Sequence, residues 1–335
     1  MTPRDRLAPR VAYVLVNWNT ADLLDEALSA LRPLAIGGEA EVVVVDNASS
    51  DGSAALVERA HPWAVRIANR ANLGFARAAN QGIAATRASI VCILNPDVAI
   101  EPRALRACAG VLAARPDIGA LAPLLLRGDG SIWEYDDRFP TRARLLRYAL
   151  LAPRDPGRLH DVGRLLGPEL HETDWLAGAC LFLRRDALER AGAFDESFFL
   201  YREDVDLCHR LRIHGFRIAR HRGVSLAHSV AQSSRRNPGR DGGRTRIEGM
   251  RSQVLYARKR FGLPFAVALA LALRLSLLPR MARALARSCL LRDAAAAAKL
   301  RWMRRAFVAL DRPVPEQPAS EAGGPEEEED SCVQL

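Results

Sequence analysis

Three near-continuous apolar runs, Val11–Val16, Val42–Val45 and Ile90–Leu94, are each followed by a segment of helical periodicity, and this alternation leaves few folds open. A strand that is apolar on both faces must be covered on both faces. Strands alternating with helices satisfy that need as a parallel sheet with right-handed crossovers. Ala21–Leu31 carries Leu23, Leu24, Ala27, Leu28 and Leu31 on one stripe, as an amphipathic helix should. Ser53–Arg59, Phe75–Thr86 and Arg103–Ala114 read as further helices, and Val65–Ala68 as a short strand. From Leu121 to Asp174 the pattern loosens into loops with one helix near Thr141–Leu151. Order returns in a strand over the apolar run Trp175–Leu183, a helix Asp204–His214 and a strand pair, Arg217–Ala219 and Val224–Ala227. The expected class is α/β, a mostly parallel sheet flanked by helices.

Charge divides the rest of the chain. The net charge is +9, but the seven acids from Glu316 to Asp330 place −7 in the tail. Residues 251–310 hold thirteen Arg or Lys against Asp293, a net of +12. Such density suits anionic phosphate, and the absence of any helix-turn-helix, RRM or OB signature argues against nucleic acid. Leu263–Leu273 is apolar but Arg274 interrupts it, short of the ~20 residues that span a bilayer. An amphipathic helical segment lying on an anionic membrane surface is expected, with an arginine-rich solvated face as the plainer reading. The expected division is a catalytic domain over 10–246, a basic helical appendage over 247–312 and a disordered acidic tail over 313–335. Six scattered cysteines without a C-x-x-C pair and a polar Met1–Arg10 segment fit a reduced, cytoplasmic setting.

Carboxylates at strand and helix ends carry the chemistry. Glu203, Asp204 and Asp206 fall within four residues behind the aromatic run at Phe198, Phe199 and Tyr201. Burial raises a carboxylate's pKa and suits it to take a proton. Asp206 stands four residues from Arg210, the spacing of a helix-surface ion pair. Asp97, in Asn95-Pro96-Asp97, follows the apolar run Ile90–Leu94. The carboxyl ends of such strands are where open α/β sheets bind ligands. Asp46 ends the second strand, where it can accept from a nucleotide base or ribose, or else cap a helix. Gly74 opens a helix whose N-terminus can face a diphosphate. Asn72 and Asn80 can donate to the same ligand, although Asn80 can equally tie its helix to a loop. Gly178 and Ala179 are small enough for two substrates to approach.

In order, the chain reads Val14-Leu15-Val16-Asn17-Trp18-Asn19, Val45-Asp46-Asn47-Ala48-Ser49-Ser50-Asp51-Gly52, Asn72-Leu73-Gly74-Phe75-Ala76-Arg77-Ala78-Ala79-Asn80, Asn95-Pro96-Asp97, Trp175-Leu176-Ala177-Gly178-Ala179 and Tyr201-Arg202-Glu203-Asp204-Val205-Asp206-Leu207. Over Val11 to Phe261 it resembles family 2 glycosyltransferases of the GT-A fold, most closely the bacterial rhamnosyltransferase-like branch. The resemblance implies an inverting, metal-dependent transfer of a sugar from a nucleotide-sugar donor to a polysaccharide or lipid-linked glycan acceptor, at the cytoplasmic face of the cell membrane. It favours rhamnose from dTDP-rhamnose over a UDP-hexose or UDP-N-acetylhexosamine. A catalytically silent binder is the other reading, and intact Asp97 and Asp204 speak against it. By the same resemblance Val16 and Trp18 hold the pyrimidine, and Asp46 contacts the nucleotide. Asn72, Gly74, Asn80, Asn95 and Arg251 serve the donor. Asp97 binds the divalent metal, Mg²⁺ or Mn²⁺, with His228 completing its shell. Family members commonly carry a second acid where this chain has Asn95, which weakens the expected metal site. Asp204 is the expected base, Glu203 its partner, and Trp175, Gly178 and Ala179 the acceptor side.

Overall fold

A computed structural model describes residues 11–133, 138–151, 169–229, 243–291, 293–310 and 317–318. Strands β1 (Val11–Asn17), β2 (Ala40–Asp46) and β3 (Val65–Ala68) pair in parallel. After the short β4 (Ala71–Asn72), β5 (Ile90–Leu94) joins β1 on its other side, also in parallel. The chain therefore reverses its direction of sheet growth at β1, a topological switch point of the kind that opens a ligand crevice at the carboxyl edge. Helices α1 (Ala21–Ile36), α2 (Ser53–Ala60), α3 (Phe75–Ala84) and α4 (Pro102–Ala114) make the connections.

The continuous apolar runs are buried on both faces, as their composition requires. Tyr13 and Leu15 pack with Leu24, Leu28 and Leu105 on one side. Val14 packs with Val43, Val45, Ala79 and Ile83 on the other. Each fully buried side chain of this size contributes about 1.5–3 kcal/mol. Gly82 lets α3 lie directly on the sheet, since a Cβ there would sit 2.2 Å from Val14 Cγ1.

Four more strands extend the sheet: β6 (Ile118–Leu126), β7 (Leu170–Glu172), β8 (Cys180–Arg184) and β9 (Arg217–Ala227), giving the order β3-β2-β1-β5-β8-β6-β9-β7. Antiparallel pairs at β5–β8, β6–β8 and β7–β9 make this half mixed. Strand β6 occupies the stretch expected to be loose. Gly119 and Pro123 hide it, and Pro123 sits at a register shift against β9, where a missing N–H is tolerated. The expected pair of final strands is one strand carrying that irregularity. Trp175–Ala179 is a turn leading into β8 rather than part of the strand.

The C-terminal helices are not an appendage. Helices α5 (Arg142–Leu151), α6 (Arg185–Ala191) and α7 (Glu203–Ile213) precede α8 (Gly243–Phe261), α9 (Leu263–Leu291) and α10 (Ala294–Ala309). Leu145, Phe198, Val205, Tyr256, Leu269 and Leu273 form one buried cluster, so α8 and α9 share a core with the start of α7. Arg274 and Pro279 do not end the apolar run. Leu263–Leu290 is one helix long and apolar enough to cross a membrane by length and composition, although a third of that span is buried inside the protein. Within the acidic tail, β10 (Gln317–Pro318) pairs antiparallel with β4, a short edge that accepts a partner; the other residues of 311–335 lie outside the described residues.

Candidate active site

The register of β1 and β2 sets Asn17 beside Asp46. Asn17 Nδ2 donates to Asp46 Oδ1 at 2.9 Å and to Ser49 Oγ at 3.1 Å, and Ser49 N donates to Asp46 Oδ2 at 3.0 Å. Asp46 therefore fixes the turn after β2 and uses two of about four acceptor sites. Asp51 takes the first N–H of each neighbouring helix instead, accepting from Ser53 N of α2 at 3.0 Å and from Ala21 N of α1 at 2.8 Å. Val16 and Trp18 flank Asn17, both half-buried. Asn47 is a hub: it donates to Asn72 Oδ1 (2.8 Å) and Gly74 O (3.2 Å) and accepts from Leu73 N (3.0 Å).

Asn72 in turn accepts from Gly74 N at 3.0 Å. The close approach at Gly74 is to the protein itself. Its φ is +87°, and a Cβ would lie 2.7 Å from Phe199 O and 2.8 Å from Phe199 Cδ2. Phe75 N donates to the same Phe199 carbonyl at 2.7 Å. Glycine's freedom thus joins the head of α3 to the segment that carries Glu203 and Asp204.

Tyr201 and Arg202, at φ +70° and +71°, form two consecutive left-handed residues ahead of α7. Such conformations cost about 1–3 kcal/mol each in non-glycine residues and collect at functional sites. Here they turn the chain so that Glu203, Asp204 and Asp206 occupy the first turn of α7, where the helix dipole favours negative charge. Asp204, half-buried, accepts from Gly178 N at 3.2 Å and from Val205 N at 2.7 Å. Glu203 is buried, and its Oε2 has no hydrogen-bond partner among the described residues. Burial, then the neighbouring Asp204, pushes the Glu203 carboxyl well above its ordinary value. Burial also raises Asp204, opposed by the N–H groups of Val205 and Gly178. The two N–H groups favour charge on Asp204, and Glu203 has no such support. Asp206 pairs with Arg210 at 2.8 Å and stands outside this pair.

Asp97 and His228, 131 residues apart, meet with His228 Nε2 3.0 Å from Asp97 Oδ1, both side chains buried. Backbone bonds from Ser229 N to Asp97 O (3.0 Å) and from Ala99 N to Ala227 O (2.8 Å) hold them there. Trp133 stands edge-on to the imidazole at 4.4 Å. His228 Nδ1 is buried without a hydrogen-bond partner among the described residues. Among the described residues no group of three or more His, Cys, Asp or Glu gathers for a metal. A carboxylate and an imidazole 3.0 Å apart nevertheless match neighbouring ligands of a cation with bonds of about 2.1 Å. Mg²⁺ in particular is commonly held by one or two protein carboxylates, with water and substrate phosphate supplying the rest.

Ala179 O accepts from Asn95 N at 2.8 Å, which ties the Trp175–Ala179 turn to the Asp97 loop. Trp175 Nε1 donates to Arg138 O at 3.2 Å. Asn80 is committed elsewhere. Its amide donates to Phe194 O (2.8 Å) and Glu196 Oε1 (3.0 Å), and its carbonyl accepts from Phe194 N (3.0 Å), so it ties α3 to a loop. Arg251 lies on α8 and pairs with Glu248 at 3.3 Å, in the wall of a cavity formed by α8 and α9 with Leu73, Arg77, the 196–199 loop and Leu310. Asn17, Asn47 and Phe199 stood inside the sequence motifs without an assigned role, whereas nothing in the sequence pointed to Trp133.

The switch-point sheet, the turn at Tyr201 and Arg202 and the Glu-Asp pair at a helix start agree with the GT-A sugar-transferase expectation. Residues 13–165 match the sequence profile of Glycosyl transferase family 2. The N-acetylglucosaminyl-diphospho-decaprenol L-rhamnosyltransferase of Mycobacterium tuberculosis is 31% identical over 239 residues, 67% of this chain and 78% of that protein. The chain belongs to glycosyltransferase family 2 and is a glycosyltransferase. The low-salt glycan biosynthesis hexosyltransferase Agl10 of Haloferax volcanii is 26% identical over 223 residues, 65% of this chain and 67% of that protein. In fold, the chain is similar to a mannosyltransferase from Pyrobaculum calidifontis solved with GDP-mannose and Mn²⁺. The TM-score is 0.54 at 22% identity, over 91% of this chain and 85% of that one.

Proposed function

We propose that the protein transfers L-rhamnose from dTDP-rhamnose, with inversion, to a sugar linked through diphosphate to a polyprenyl lipid. The observation that carries the reaction is the Glu203–Asp204 pair. Asp204, half-buried and held by two backbone N–H groups beside the buried Glu203, is the carboxylate that accepts a proton. Asp204 removes the proton of the acceptor hydroxyl as that oxygen bonds to the anomeric carbon. The bond from that carbon to the donor's diphosphate oxygen breaks on the opposite face, and the nucleoside diphosphate leaves with the electron pair. Gly178 N–H keeps the carboxylate aimed at the acceptor side. Asp97 and His228 would hold a divalent cation, which when bound neutralises charge on the diphosphate. Val16, Trp18 and Asp46 take the nucleoside at the β1–β2 edge, and the Gly74 loop faces the diphosphate. The rhamnosyl group and the diphospho-polyprenyl acceptor rest on the mycobacterial relative's name, and the dTDP carrier on the family resemblance; the basic α8–α10 face suits anionic lipid at a membrane surface.

A panel of nucleotide sugars tests the donor: dTDP-rhamnose should be turned over fastest. A clear preference for a UDP-hexose or UDP-N-acetylhexosamine would reassign it. Chelator should abolish transfer and Mn²⁺ or Mg²⁺ restore it, and Asp97→Ala should weaken donor binding chiefly when metal is present. Full activity after exhaustive EDTA treatment would remove the metal from the account.

A further inference from the structure

A cavity of about 620 Å³ lies between the head of α3, the 196–199 loop and helices α8 and α9. Its walls have two characters. Leu263, Val267 and Leu271 line one side. Arg77 reaches it from α3, Arg251 and Arg258 from α8, and Arg274 from the α9 face that carries the leucines; the acid in the wall, Glu196, pairs with Arg77 at 3.1 Å, and Arg251 pairs with Glu248 at 3.3 Å. Phe199 is also in the wall, and its carbonyl is the contact shared with Gly74 and Phe75, four residues before Glu203.

The apolar side continues out of the cavity. Leu263, Val267, Leu271, Leu275 and Leu278 recur every three or four residues along α9 and are 58, 49, 53, 60 and 46% exposed. That spacing puts them on one face, a strip of about 22 Å at 1.5 Å per residue. A solvated helix has no reason to present such a row, and its opposite face is already packed against the protein. The strip starts at an arginine-lined cavity and ends away from it. A ligand complementary to both parts has an anionic head and a long apolar chain. Arginine forks suit phosphate oxygens.

Resting on the proposed acceptor class, we infer that this cavity is the acceptor's lipid-diphosphate site. The diphosphate sits among Arg251, Arg258 and Arg274, and the first isoprene units lie along Leu263, Val267 and Leu271. The sugar on the diphosphate then points past Phe199 towards Asp204. The site is distinct from the β1–β2 edge proposed for the donor, so one protein holds two diphosphates at once.

Farnesyl diphosphate in detergent is a direct probe. It should bind the full-length protein, inorganic diphosphate should bind at least about tenfold more weakly, and excess dTDP should not displace the farnesyl compound. The double variant Val267→Asp/Leu271→Asp changes half-exposed positions and should keep the fold. Losing burial of apolar chain against two side chains should weaken farnesyl diphosphate on the order of tenfold or more, with dTDP binding unchanged. Arg258→Glu should weaken both farnesyl diphosphate and inorganic diphosphate. Unaltered farnesyl diphosphate affinity in the double variant, or displacement by dTDP, would overturn the inference. So would a variant that loses only binding to phosphatidylglycerol vesicles, since the strip would then serve bulk membrane alone. Farnesyl diphosphate binding as described, with no transfer to any polyprenyl-linked acceptor by wild type, would instead reject the proposed function.

Discussion

Glu203 has a consequence that can be measured away from catalysis. Its carboxyl is raised by burial first and by Asp204 second, so the native state keeps a proton that the unfolded chain gives up. Stability therefore falls as pH rises from the ordinary carboxylate range through Glu203's raised value. Glu203→Gln should remove that slope and be more stable than wild type at neutral pH but not near pH 4. Denaturant unfolding at the two values checks this, and parallel curves would show that Glu203 is ionised in the native state. His209 acts at the other limb. Burial, then Arg260 and Arg212, lowers it to about 4, so stability is lost as pH falls from about 6.5 towards that value. His209→Gln should flatten that acid limb in the same unfolding series, and an unchanged limb would place the loss elsewhere. The acids at 203 and 204 were legible in the sequence because aromatic neighbours announced burial. The Asp97–His228 pairing rested on family resemblance. The 131 residues between them carry no local signal for it.

At the scale of elements, the head of α3 and the turn before α7 behave as one unit because Gly74 and Phe199 touch. Gly74→Ala combines a positive φ with a collision at Phe199, whereas Gly52, at φ +86°, has nothing within 4 Å of its Cβ position. Gly52→Ala should cost about 1 kcal/mol. Gly74→Ala should cost about 1–3 kcal/mol more, and it should also slow transfer by displacing the turn that aims Asp204. Equal stability losses and normal transfer in both variants would separate the two elements. The strand–helix alternation up to α4 was readable because apolar runs buried on both faces look alike wherever they occur. Strand β6 was not readable, since Gly119 and Pro123 break its pattern while β8 and β9 on either side supply its pairing. Helix α9 was truncated at Arg274 by hydropathy alone. In the structure Arg274 Nε donates to Phe307 O at 2.9 Å, so the charge is accommodated by α10.

For the whole molecule, the shared core of Phe198, Val205, Leu269 and Leu273 means that the basic helices support the turn before Glu203 and Asp204, the pair proposed to carry the reaction. Ser252 Oγ donates to Leu200 O at 2.7 Å and Lys259 pairs with Asp195, which adds polar ties across the same boundary. A chain ending at Phe261 should accordingly unfold more readily and lose transfer, rather than remain a competent soluble enzyme. Full-length protein should sediment with anionic vesicles more than with neutral ones. Salt should reduce the difference, since each basic residue near the surface contributes about 1 kcal/mol and is screened. Arg283→Glu/Arg287→Glu should reduce it further, and equal binding to both vesicle types would remove the electrostatic part of the account. The division between catalytic domain and appendage was drawn from charge, and charge reports what faces solvent. It does not report that the inner faces of the same helices are apolar and packed. The central claim is that Asp204 takes the acceptor's proton in a transfer from dTDP-rhamnose. It is tested most directly by measuring rhamnosyl transfer to polyprenyl-diphosphate-linked N-acetylglucosamine, alongside dTDP-rhamnose affinity, in wild type and Asp204→Asn. Transfer should fall on the order of 10²–10⁴-fold with affinity retained; near-normal transfer by Asp204→Asn would contradict the account.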